Sequence, residues 1–113
     1  MRVGTSVTIE AAHFLPGHPK CGNMHGHTYR FEVEVEGAIG GNGMVVELDE
    51  LRARIEVVLS SYDHRVWNES LDMPTVENIA ALVGERIARS VVLPTRLRVY
   101  EGERNWAEGD FRP

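Results

Sequence analysis

An α+β domain in the order β-β-α-α-β-β is predicted from three observations. Two runs near the N-terminus, Val3 to His13 and His25 to Gly37, alternate polar and apolar residues as half-buried strands do. Two later stretches, beginning at Leu48 and at Pro74-Thr75, switch to helical spacing. A third alternating run, Arg96 to Glu101, follows the second helix.

In the first strand Val3, Thr5, Val7, Ile9, Ala11 and His13 share one face, and Arg2, Ser6, Thr8 and Glu10 the other. Phe14 to Met24 holds two prolines and two glycines and is expected to be a loop. In the second strand His27, Tyr29, Phe31, Val33 and Val35 oppose Arg30, Glu32, Glu34 and Glu36. Two strands joined this way are expected to be antiparallel neighbours, which brings His13 towards His25 and His27. Ala38 to Gly43 reads as a turn, and Met44 to Val46 as a short apolar run able to continue the sheet. The first helix is expected over Leu48 to Tyr62, with Leu48, Leu51, Ile55, Val58, Leu59 and Tyr62 on its apolar side, ending near Asp63-His64. Glu50 with Arg54 and Arg52 with Glu56 are i,i+4 pairs on its wet side. Thr75 suits the N-cap of the second helix and Glu77 its first turn. Val76, Ile79, Ala80, Val83, Ile87 and Val91 form its stripe, and Pro94 is expected to end it. Trp106 and Phe111 suggest a short fourth strand in the tail.

At 113 residues the chain is expected to form one domain with a modest core, so association would help it. Its 42% hydrophobic and 26% charged residues are those of an ordinary globular chain. The net charge of −5, with no basic patch, argues against a nucleic-acid binder. No apolar run reaches the ~20 residues of a membrane span, and the start lacks a signal peptide's apolar core. With a single cysteine, a cytoplasmic location and a free thiol are expected.

The chemistry concentrates in Cys21-Gly22-Asn23-Met24-His25-Gly26-His27, with His13 just before it. His25 and His27 are two apart on one strand and so share a face. With His13 they make three imidazoles, enough for a metal site with an open fourth position, the arrangement of catalytic zinc. Copper, iron and nickel accept the same donors. Cys21 reads as a fourth ligand, as a base or nucleophile beside the metal, or as a small buried residue. Asp63-His64 reads as a helix end with a favourable cation or as a carboxylate orienting an imidazole for proton transfer. Glu101, in phase with Leu97 and Val99, lies either in water at the sheet end or against a ligand.

Together these segments resemble one family. Ala11-Ala12-His13, the Cys21 to His27 motif, Asp63-His64, Pro74-Thr75-Val76-Glu77-Asn78 and Glu101 follow the order found in the 6-pyruvoyl and 6-carboxy-tetrahydropterin synthases. The resemblance covers nearly the whole chain, 1–113, as one domain of that type. The spacing from Cys21 to His25 is similar to that of the bacterial carboxy enzymes of the queuosine pathway. What the resemblance implies is a tunnelling fold, a four-stranded antiparallel sheet with two helices on one face. It also implies a homo-oligomer, a trimer or dimer of trimers, that closes a barrel with sites between subunits. It implies Zn2+ on His13, His25 and His27, Cys21 as catalytic base, and Asp63 and His64 as the proton-transfer pair. Glu101 would anchor the pterin, with Thr75 as a further contact. The implied reaction converts 7,8-dihydroneopterin triphosphate to 6-carboxy-5,6,7,8-tetrahydropterin, with triphosphate and acetaldehyde released. The pyruvoyl synthase reaction is the alternative, and a catalytically dead, zinc-stabilised pterin-binding module the alternative of another class. The chain departs from the family pattern at Glu47-Leu48, where Asp-Phe is usual, and at Glu101-Gly102, where Glu-Thr is usual.

Overall fold

The computed structural model describes residues Met1–Pro113. Strands β1 (Arg2–His13), β2 (His25–Glu36), β3 (Thr95–Glu101) and β4 (Asn105–Phe111) form one antiparallel sheet in that order, with helices α1 (Leu48–Leu59) and α2 (Val76–Val91) inserted between β2 and β3. Alternation sets the two faces of the sheet. Val7, Ile9, Tyr29, Phe31, Val33, Leu97 and Val99 point to the helices, where Leu51, Ile55, Leu59, Ile79, Val83 and Ile87 complete one core. Each such large side chain, fully buried, contributes about 1.5–3 kcal/mol against leaving it in water.

The opposite face is polar and paired across strands. Arg96 meets Asp110 at 2.9 Å and Arg98 meets Glu108 at 3.1 Å. The Arg98 guanidinium lies 3.8 Å over the Trp106 ring, and that of Arg30 lies 4.1 Å over Tyr100. The molecule is elongated, 54 × 23 × 21 Å, because β1 and β2 run twelve residues each while β3 and β4 run seven.

Several boundaries differ from the sequence expectation. α1 stops at Leu59, and turns carry the chain through Tyr62. Leu48 is 47% exposed and stands outside the core. The helix starts there because both carboxylate oxygens of Glu47 accept from the amides of Asp49 and Glu50, so the unusual glutamate acts as its N-cap. Met44 to Val46 does not extend the sheet. α2 ends before Pro94, where Val92 turns left-handed at φ 56°. β4 is a full seven-residue strand. Between the helices a short 3-10 turn, Trp67–Glu69, buries Trp67, which the periodicity gave no reason to place.

Candidate metal centre and active site

The hairpin of β1 and β2 builds the centre. Its register sets His13 opposite His25 and Ala11 opposite His27, so all three imidazoles lie on the helix-covered face. Their nearest ring nitrogens all fall within 4.8 Å of one another. The neighbouring helix entry orients His13, which is 1% exposed. Its Nδ1 is 2.8 Å from the carbonyl of Pro74, immediately before the Thr75 N-cap of α2. Nδ1 of His25 is 2.7 Å from the carbonyl of Asn23.

A carbonyl only accepts, so both Nδ1 atoms carry the proton in the neutral rings and both Nε2 atoms are bare. Those two Nε2 atoms lie 3.0 Å apart. Nε2 of His27 is buried with no hydrogen-bond partner. Two lone pairs and the unpartnered His27 nitrogen thus converge, the carbonyls of Pro74 and Asn23 playing the outer-shell part that fixes a metal-bound imidazole. Tetrahedral ligands at the zinc–nitrogen distance stand roughly 3.3 Å apart. The three histidines can therefore form a metal site.

Glu101 reaches the cluster from β3. Its carboxylate oxygens lie 3.6 Å from His27 Nε2 and 3.9 Å from His13 Nε2. Burial holds the His27 pKa below 6.5; the Glu101 charge opposes this, and His13 and His25 add to the lowering. Tyr29, paired with Glu101 across β2 and β3, has its hydroxyl pKa raised by burial and then by the same carboxylate.

Asp63 and His64 are held along the outer edge of β1. The Asp63 carboxylate accepts from Glu10 N at 3.1 Å and lies 2.8 Å from His64 Nδ1. The His64 amide donates to Glu10 O at 2.6 Å, which holds His64 at a left-handed φ of 58°. The ring faces outward, 77% exposed. It lines an open groove of about 460 Å³ together with Glu10, Thr28, His27 and Arg65.

The chain therefore gathers His13, His25, His27 and Glu101, and sets Asp63-His64 at the outer edge of β1, where His64 shares a groove with His27. Cys21 is half-exposed in the loop between the first two strands and is not among the clustered donor atoms. Thr75 accepts from Asn78 N at 3.2 Å as an N-cap, one residue from the carbonyl that orients His13. The carbonyls of Pro74 and Asn23 were invisible in the sequence, since any residue supplies one. The tyrosine in phase with His27 was the one available signal for Tyr29.

A trio of imidazoles, one buried and two half-buried, at one end of a helix-backed antiparallel sheet and flanked by a carboxylate, defines a candidate metal-site protein of the α+β class. The comparisons then identify the family. The family model described as 6-pyruvoyl tetrahydropterin synthase matches residues 2–110, and the chain belongs to that family of enzymes. A protein of Archaeoglobus fulgidus, provisionally named a 6-carboxy-5,6,7,8-tetrahydropterin synthase, is 40% identical over 108 residues, 96% of this chain and 94% of its own. The dihydroneopterin monophosphate aldolase of Pyrococcus furiosus is 40% identical over 82 residues, 70% of this chain and 71% of its own. The 6-carboxy-5,6,7,8-tetrahydropterin synthase of Haemophilus influenzae is 35% identical, covering 88% and 74%. The 6-pyruvoyl tetrahydropterin synthase structure of Caenorhabditis elegans superposes with a TM-score of 0.85 at 24% identity, covering 96% of this chain and 94% of that one. The fold is the tunnelling fold. No helix is long and apolar enough to cross a membrane.

Proposed function

We propose that the protein is a zinc-dependent carbon–oxygen lyase. Its substrates would be 7,8-dihydroneopterin triphosphate and one water, and its product 6-carboxy-5,6,7,8-tetrahydropterin, with triphosphate and acetaldehyde released, in the formation of 7-deazapurines of the queuosine type. The observation that carries this reading is the convergence of three imidazole nitrogens beside the Glu101 carboxylate. The relative named for this product that matches along nearly the whole chain supports it.

His13, His25 and His27 would hold the ion. Bound there, zinc would supply Lewis-acid stabilisation of negative charge developing on the substrate side chain. Glu101 would accept two hydrogen bonds from the amino-pyrimidine edge of the pterin, the pairing a carboxylate makes with a guanidine-like group. Cys21, as thiolate, would take a proton from a side-chain carbon. His64 would pass a proton through Nε2, because Nδ1 is committed to Asp63.

The outward face of His64 supports a site finished by a second copy. β4 has an open edge, and β1 is covered only near its end, where Ala12 bridges Val66. Closing those edges in a trimer or dimer of trimers would remove them. Light scattering that returned the 12.7 kDa of one chain at micromolar concentration would refute assembly.

A second reading has its own observation, the aldolase relative. Incubation with the pterin triphosphate and product analysis separates the two. The proposed reaction releases free triphosphate, acetaldehyde and a pterin carboxylate. A retro-aldol cleavage of the pterin side chain leaves the phosphate on the departing two-carbon aldehyde. That product, or a side chain retained whole as in the pyruvoyl reaction, would overturn the carboxy-tetrahydropterin reading.

A further inference from the structure

The loop that presents Cys21 is closed upon the imidazole of His18, a residue to which the motifs assign nothing. His18 Nδ1 is 2.8 Å from the amide of Cys21 and 3.2 Å from the amide of Lys20. An amide only donates, so Nδ1 is the acceptor and the ring proton sits on Nε2. The pattern, a side-chain acceptor for the amides two and three residues on, is the one Asn and Asp use to fix turns. Pro19, between them, has no amide to offer and holds φ near −65°.

Backbone bonds complete the ring. Leu15 N donates to Cys21 O at 2.8 Å, and His18 N donates to Leu15 O at 3.1 Å. Gly22 then passes so close that a Cβ there would stand 2.6 Å from the His18 carbonyl oxygen. Both the amide and the carbonyl of Cys21 are thus tied within one seven-residue loop, which fixes the direction in which its side chain leaves the backbone. His18 itself is exposed, so no burial accounts for its presence.

We infer that His18 is a positioning residue for Cys21: its ring nitrogen holds the peptide that aims the thiol. The inference rests on the proposed role of Cys21 as the base. Proton transfer is sensitive to placement, and displacement of a reacting group by ~1 Å can cost ~10²-fold in rate. His18→Ala leaves the Cys21 amide without its acceptor. His18→Asn supplies a carbonyl oxygen at the same spacing.

The test uses the metal-loaded protein with four variants: His18→Ala, His18→Asn, Cys21→Ala and the His18→Ala/Cys21→Ala double variant. Amide hydrogen exchange should show protection at Cys21 lost in His18→Ala and regained in His18→Asn. Turnover of the pterin triphosphate should fall roughly ten- to hundredfold in kcat for His18→Ala with KM and zinc content held, and the asparagine should restore most of it. In the Cys21→Ala background the same substitution should cost nothing further, since the thiol it aims is gone. Unchanged exchange at Cys21 would overturn the inference, and so would a rate loss that persists undiminished without the thiol. A thermal midpoint that falls with alanine and stays low with asparagine would make His18 a stabiliser only. Should the wild type turn over no pterin triphosphate, the proposed function falls, and the exchange comparison decides the role of His18 alone.

Discussion

His13 Nε2 and His25 Nε2 face each other across 3.0 Å, and the Nδ1 of each ring is already engaged by a backbone carbonyl. Two lone pairs at that distance repel unless a proton or a cation lies between them. A metal ion relieves the contact, so binding should stabilise the fold by mass action. At a free zinc concentration a thousandfold above the dissociation constant the gain is about 4 kcal/mol. Zinc added to chelated protein should raise its thermal midpoint, and His27→Ala should abolish most of the rise. An equal rise in the variant would place the ion elsewhere.

Acid should weaken the same centre. Burial, then the neighbouring imidazoles, hold the His27 pKa below the 6.5 of an unfolded chain, against the pull of Glu101. The unfolded chain therefore binds the proton more readily than the folded one. Stability from this group is full above about pH 6.5 and is lost as pH falls below it through the folded value. Protons also compete with the ion for neutral imidazole. The thermal midpoint of the chelated protein should fall from pH 7.5 to pH 5, by less in His27→Ala. A midpoint that rose on acidification would reverse the sign and contradict this account of His27.

Cys21 stands apart from the three donor atoms. Cys21→Ala should keep its zinc and oligomeric state and lose ~10²–10⁴-fold in turnover, the usual range for a general base. Alkylation of the wild type should inactivate it, and bound pterin should slow that. Loss of zinc on substitution would make the thiol a ligand and favour the binding-module alternative.

Gly102 marks the second departure from the family pattern, and its backbone explains it. The residue turns the chain from β3 to β4 at φ 72°, with its amide on Thr28 O at 2.9 Å, and nothing lies within 4 Å of where a Cβ would be. Installing the more usual threonine should therefore cost only backbone strain, about 1–3 kcal/mol. Chemical denaturation of Gly102→Thr measures it. No loss of stability would mean that this turn rearranges freely.

Much of this was legible because strands write their faces into the sequence. The two-residue period put His13, His25 and His27 on covered faces before any pairing was known, and the β1–β2 register then brought them together. Helix ends were less legible. Turn geometry at Ser60 to Asp63 and the left-handed Val92 decide them, and neither leaves a strong residue signal. Trp67 was missed because three residues carry no period. The site's hidden half is backbone: Pro74 O, Asn23 O and Glu10 N and O act through atoms common to every residue. His18 carried no signal because it pairs with no other chemical motif and reveals itself only through the amides it accepts.

Metal analysis of freshly purified protein tests the central claim most directly. Elemental mass spectrometry should find about one zinc per chain, as a site of three imidazoles with an open position requires, and His27→Ala should lose most of it while remaining folded. Wild-type protein free of any transition metal, and unable to take one up on addition, would contradict the account at its root.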